Sequence, residues 1–154
     1  LHRVEDIEHL EIYTSNEAMA AQAEYIRDGL DFDQWMDNVH LILDQSHIRT
    51  LHSMCTINAL CLDSLPKYLT WLMALKQVYG RDRVSFTLNI LRFPSFQSPL
   101  VLPIEFREDA CRRLTGVFNS NIDVFQEFEI KTSFNFSFHF WSNVWITTSR
   151  ASVY

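Results

Sequence analysis

Polar side chains suited to gripping a small molecule fall at four points of this chain. Thr14, Ser15, Asn16 and Glu17 form one run, Thr56 and Asn58 a second, and Asn89 and Arg92 a third; Arg27 stands just before Asp28-Gly29. The three runs each sit at the end of a segment with strand character. In parallel βα architectures ligands bind at the C-terminal ends of the strands. Read together, these residues make a polar rim with one carboxylate and one guanidinium, to which Arg27 adds a second. Such a rim suits a polar, charged small molecule. The competing reading is local capping. Ser15 and Asn16 are good helix caps, Asn58 is a good turn residue, and Arg27 would then be a solvated helix end.

Other chemical signals are sparse. Glu5, Asp6 and Glu8 read as a solvated acidic run. His2, His9, His40, His47 and His52 show neither His-x-x-x-His nor His-x-His spacing, so they do not form a metal site. The cysteines are Cys55, Cys61 and Cys111, with five residues between the first two and no Cys-x-x-Cys pair. Cys55 and Cys61 read as buried structural thiols rather than a nucleophile or a redox pair. An odd count without a secretion signal suggests reduced thiols and a cytoplasmic location. Gly-x-Ser-x-Gly, the Walker loop and Gly-x-Gly-x-x-Gly are all absent from the sequence. No catalytic residue and no metal ligand is assigned on these grounds.

The elements that must position the rim follow from periodicity. His9 to Thr14 alternates and reads as a strand. Glu17 to Arg27 is rich in helix formers, and Asp28-Gly29 breaks it. Asp31 is an N-cap for a helix to about Leu43, whose apolar set Phe32, Trp35, Met36, Val39, Ile42 and Leu43 makes one face. Arg49 to Asn58 reads as a buried strand. Asp63 or Ser64 caps the next helix, Pro66 is tolerated in its first turn, and Gly80 ends it. Val84 to Leu91 is the clearest strand. Pro103 opens a helix to about Leu114, with acidic residues early and Arg112-Arg113 late. Residues 9–115 thus alternate strand and helix, which implies an α/β fold with parallel strands.

Composition narrows the function classes. The 154 residues are 47% hydrophobic and 21% charged, as in a single globular domain. Net charge is −6, a poor match for nucleic acid or an anionic membrane surface. No apolar run approaches the roughly 20 residues of a membrane helix. Leu1-His2-Arg3-Val4-Glu5-Asp6 does not read as a signal peptide and has no starting Met, which suggests a processed or excised piece. From Asn119 the chain changes character. Phe134, Phe136, Phe138 and Phe140 alternate with Asn135, Ser137 and His139, which reads as a half-buried strand or as an aromatic ligand-binding face. The expected division is 1–116 for the α/β part and 117–154 for an aromatic-rich tail.

Several of these segments together resemble radical S-adenosylmethionine (SAM) enzymes, most closely those with a twitch or SPASM-type extension. Ile12-Tyr13-Thr14-Ser15-Asn16-Glu17 resembles a family strand ending in Ser-x-Asp. Ala23 to Phe32 contains Ile26-Arg27-Asp28-Gly29, similar to Ile-Arg-x-Gly, and Asn38-Val39 resembles the Asn-Val that ends the following helix. Met54 to Leu60 resembles the next strand, with Asn58 at its end. Ser64 to Leu69 and Val84 to Pro94 resemble the helix and strand after it. The match covers about residues 8–115. It implies a partial parallel (β/α) barrel of about three βα units. It also implies that Ser15 and Glu17 lie beside the SAM amino or ribose groups, with Glu17 in place of the usual Asp. Arg27 would meet the SAM carboxylate and Asn58 would hydrogen-bond SAM.

The chain departs from the family at the iron–sulfur site. The Cys-x-x-x-Cys-x-x-Cys that holds a [4Fe-4S] cluster is absent, and Cys55 and Cys61 have other spacing. The tail after Gly116 has no cysteine, whereas a twitch domain would be expected to supply some. The resemblance therefore implies an internal fragment of an enzyme that reductively cleaves SAM to a 5′-deoxyadenosyl radical. That fragment would contribute SAM contacts, would be inactive alone, and would act on a substrate the sequence does not specify. The alternative is a non-catalytic α/β module for a small molecule or nucleotide. A fragment of a barrel has open sheet edges, so self-association is expected.

Overall fold

The computed structural model describes residues 10–130. Its elements run β1 (Leu10–Ser15), α1 (Ala20–Ile26), α2 (Phe32–Leu43), β2 (Ile48–Ile57), α3 (Leu65–Tyr79), β3 (Val84–Ile90) and α4 (Ile104–Ser120). Three short 3-10 turns lie at Ser95–Gln97, Pro99–Val101 and Ile122–Val124, and residues 127–130 are helical. The strands form one parallel sheet in the order β1-β2-β3. The fold is therefore mixed α/β with a parallel, open sheet among the described residues.

Side-chain alternation gives the sheet two unlike faces. One carries Leu10, Ile12, Leu51, Cys55, Ile57, Val84, Phe86 and Leu88, with Thr14 and Ser53 as its polar members. Against it α2 packs on β2, α3 on β3, and α4 on α3. Leu65, Tyr68, Leu69, Leu72 and Met73 of α3 fill this core together with Phe32, Val39 and Leu43 of α2. The other face carries Glu11, Tyr13, Ser15, Thr50, His52, Met54, Thr56, Ser85, Thr87 and Asn89. Tyr13, His52 and Ser85 lie in one row across the three strands.

Local chemistry sets the element ends. The Asp31 side chain accepts from the Gln34 backbone N–H at 2.9 Å, as an N-cap should. Gly29 and Gly80 take φ values of +81° and +111°, which glycine adopts without steric cost. Ser64 begins α3 but does not cap it: its hydroxyl accepts instead from the Met19 backbone N–H at 2.8 Å. The first helix starts at Ala20 rather than Glu17, because Asn16, Glu17 and Ala18 turn inward and are buried.

Helix α4 continues past residue 116 to Ser120. Val117, Phe118, Val124 and Ile130 pack against the core, and Phe125 is buried within it. Residues 117–130 are thus continuous with the α/β domain. The aromatic alternation at Phe134–Phe140 lies outside the described residues.

Candidate functional site

The C-terminal edge of the sheet gathers three of the four expected site residues. β1 ends at Ser15 and the chain dives inward, so Glu17 reaches the edge from below with only 2% exposure. Arg27 closes α1, and one of its terminal nitrogens lies 2.5 Å from Glu17 Oε2. Asn58 follows β2, and its amide donates to Glu17 Oε1 at 3.3 Å. A buried carboxylate is costly unless paired and hydrogen-bonded, and here both requirements are met. Ser15 lies one step away. Its hydroxyl donates to the Met54 carbonyl at 3.1 Å and touches none of the other three.

Capping also operates at these positions. Asn58 Oδ1 accepts from the Leu60 and Cys61 backbone N–H groups at 2.9 and 3.1 Å, and Nδ2 also meets the Thr56 carbonyl at 3.4 Å. All four hydrogen-bonding positions of that amide are in use. Asn16 closes its own turn through contacts with Ala18. Arg27 is different. Its Nε–H is buried and has no acceptor among the described residues. The Arg27 side chain is 31% exposed, so part of the guanidinium faces solvent.

The loop after β3 joins this edge through Ala59 N–H donating to the Gln97 carbonyl at 2.7 Å. It presents Phe93 and Phe96, which are 85% and 74% exposed. Pro94, Ser95, Ser98 and Pro99 mark this segment as a loop in the sequence, but nothing there brings its rings to this edge. Asn89 and Arg92 belong to the same end but make no hydrogen bond to the Glu17 cluster.

Cys55 and Cys61 are core thiols. Cys55 and Cys61 are fully buried. Burial pushes the Cys55 thiol well above its ordinary value and the Cys61 thiol up to about 12. Both stay protonated at neutral pH, and a thiol is a poor nucleophile and metal ligand.

A second polar constellation lies on the sheet face that the helices leave bare, toward the N-terminal ends of the strands. His52 Nδ1 is 2.7 Å from Ser85 Oγ, and Nε2 is 3.2 Å from Thr87 Oγ1. Its ring sits between Tyr13 and Phe128, at centroid distances of 5.3 and 6.2 Å. Burial holds the imidazole below its ordinary pKa, so it is neutral at pH 7. A cavity of about 560 Å³ opens here, bounded also by Glu11, Arg83 and Gln126. Sequence reading missed this group because its parts lie on three strands and a late helix; only strand register joins them.

No protein family, no curated protein and no solved structure matches the chain. Among the described residues, no group of three or more His, Cys, Asp or Glu is placed to hold a metal ion. None of their helices is long and apolar enough to cross a membrane.

Proposed function

We propose that this domain is part of a radical SAM-type partial barrel and contributes the half of the site that grips SAM. The carrying observation is the convergence of Glu17, Arg27 and Asn58 at the C-terminal edge of a parallel sheet, with the Arg27 side chain partly open to solvent. A guanidinium offers five N–H donors in a fixed fork, well matched to a carboxylate. The hydrogen bonds of Arg27 to Glu17 and Asn58 to Glu17 leave lone pairs on Glu17, which suits an ammonium. A zwitterionic amino acid group satisfies both ends at once. The exposed rings of Phe93 and Phe96 lie on the same edge and supply apolar surface for a heterocycle.

The iron–sulfur cluster does not fit the described residues. Cys55 and Cys61 are core thiols, and Cys111 is buried on α4. What this chain's own residues would do is bind and orient the amino acid end of SAM. The Glu17–Arg27 pair holds the guanidinium in place before a ligand arrives, which lowers the ordering cost of binding.

The test is anaerobic calorimetry of SAM with the whole chain. Parent protein should bind, and Arg27→Ala should lose about 2–5 kcal/mol of binding free energy, as when one partner of a buried charge pair is removed. A second reading is favoured by Asn58, whose amide is already saturated. In it the cluster is a set of caps inside a non-catalytic module. That reading predicts no SAM binding by the parent chain, or binding that ignores Arg27→Ala.

A further inference from the structure

Beneath the sheet, between α2 and α3, aromatic rings run without a gap from the interior to the surface. The Trp35 indole N–H donates at 3.0 Å to Thr14 Oγ1, the first side chain of the polar rim. The Trp35 and Trp71 rings are 5.6 Å apart, and Tyr68 lies 6.2 and 5.7 Å from the two. Trp71 meets the His40 ring edge-on at 6.5 Å, and His40 lies 6.0 Å from Tyr79. The run ends in a hydrogen bond of 3.1 Å between His40 Nδ1 and the Tyr79 hydroxyl.

The two tyrosines differ in one decisive way. Tyr68 is wholly buried and its hydroxyl meets only Ser53 Oγ, at 2.7 Å. A serine hydroxyl is no base, so Tyr68 has nowhere to send its proton. Tyr79 sits at the surface end with an imidazole nitrogen in contact and the Asp44 carboxylate beside it. A tyrosine gives up an electron readily only when its proton has an acceptor. Packing alone asks for apolar rings here; it does not ask for a proton acceptor at the outer end.

We infer that Trp35, Trp71 and Tyr79 form a relay that carries an oxidising equivalent from the rim to the surface, with His40 as the proton acceptor. The oxidant it serves is a one-electron oxidant, such as an organic radical, arising near Thr14. That oxidant takes one electron from Trp35 and is reduced. Trp71 returns an electron to Trp35. Tyr79 then returns one to Trp71 while its phenolic proton passes to His40 Nδ1, in the tautomer that carries hydrogen on Nε2. Both indoles end unchanged, Tyr79 is a neutral phenoxyl radical and His40 is an imidazolium. The relay does not depend on which molecule the rim binds, and it stands or falls separately from SAM binding.

The experiment attaches a ruthenium polypyridyl photo-oxidant at Gln34→Cys, an exposed position next to Trp35. Cys55, Cys61 and Cys111 are buried and do not compete for the label. After a laser flash with an electron-accepting quencher, transient absorption and electron paramagnetic resonance follow the hole. The expected result is a tryptophan radical giving way to a tyrosyl radical. In Tyr79→Phe, which removes only a hydroxyl, the hole should stay on tryptophan. In Trp71→Phe, which keeps an aromatic ring in the core, it should stay at Trp35. A tyrosyl signal that survives Tyr79→Phe, or a hole that never leaves Trp35 in the otherwise unaltered chain, overturns the relay.

Discussion

Lys76 and Glu129 form an ion pair in which both side chains are fully buried, with Nζ at 2.7 Å from Oε1 and 2.9 Å from Oε2. The same carboxylate accepts from the backbone N–H groups of Phe86 and Gln126 at 3.0 and 2.7 Å. Burial nonetheless dominates both groups: it pushes the Glu129 carboxyl up and the Lys76 ammonium down. For Glu129 the folded state holds its proton more tightly than the unfolded state. Its contribution is therefore full below the ordinary carboxylate range and is lost as pH rises through the raised folded value. Lys76 behaves oppositely, and its contribution is full above the ordinary ammonium value and lost as pH falls. The pair thus helps folding least near neutrality. Lys76→Met removes the ammonium from beside a buried carboxylate and should cost about 3–5 kcal/mol at pH 7. Because Glu129 can then take up a proton in place of that charge partner, the loss should shrink as pH is lowered toward the carboxylate range. Urea unfolding of both proteins at pH 7 and pH 5 checks this, and a pH-independent difference would refute it. None of this was legible in the sequence. Lys76 reads as one more polar residue late in a helix, and Glu129 falls in the stretch set aside as a tail. The rim residues were legible because helix and strand ends can be located from pattern, and residues that follow parallel strands must meet at one edge.

Among the elements, α1 is the one whose start is under strain. Ala20 has φ +50°, a left-handed conformation that costs an L-residue roughly 1–2 kcal/mol. Met19 before it offers no side-chain cap, and its N–H is satisfied from afar by Ser64. Ala20→Gly should therefore be neutral or stabilising by up to about 1 kcal/mol, the relief being offset in part by glycine's greater chain entropy. Ala21→Gly, one residue further and exposed, should cost about 0.5–1 kcal/mol, the ordinary penalty of glycine in a helix. Denaturant midpoints with equal slopes distinguish the two, and equal losses would show that the strained turn is not a feature of the folded protein. The sequence disclosed α2, α3 and all three strands, because each carries an apolar period and a recognisable end at Asp31, Gly80 or a charged turn. It misled at α1 for a tertiary reason: Glu17 looks like a good first-turn helix residue, yet its carboxylate is drawn inward by Arg27 and Asn58. It also misled at Ser64, where a good capping residue serves a different segment.

At the scale of the whole molecule, the sheet's two edges are not alike. Among the described residues β1 and β3 each pair on one side only. The Phe86 N–H of β3 is taken by Glu129, so the short helical segment at 127–130 closes part of that edge. β1 has no such cover among the described residues, and its Tyr13 is 60% exposed on the bare face. An uncovered strand edge is a template for pairing with another chain, and a charge placed on it discourages that pairing. The self-association expected of an open parallel sheet should therefore run through β1. Light scattering should show the chain as larger than a monomer. Tyr13→Lys should shift it toward monomer, while Asn89→Lys, on the same face but on β3, should not. If both substitutions dissociate the assembly, contact is through the bare sheet face rather than the β1 edge. If the parent chain is a monomer that melts cooperatively, the three strands are sufficient on their own and the reading of the domain as part of a larger barrel loses its physical motive.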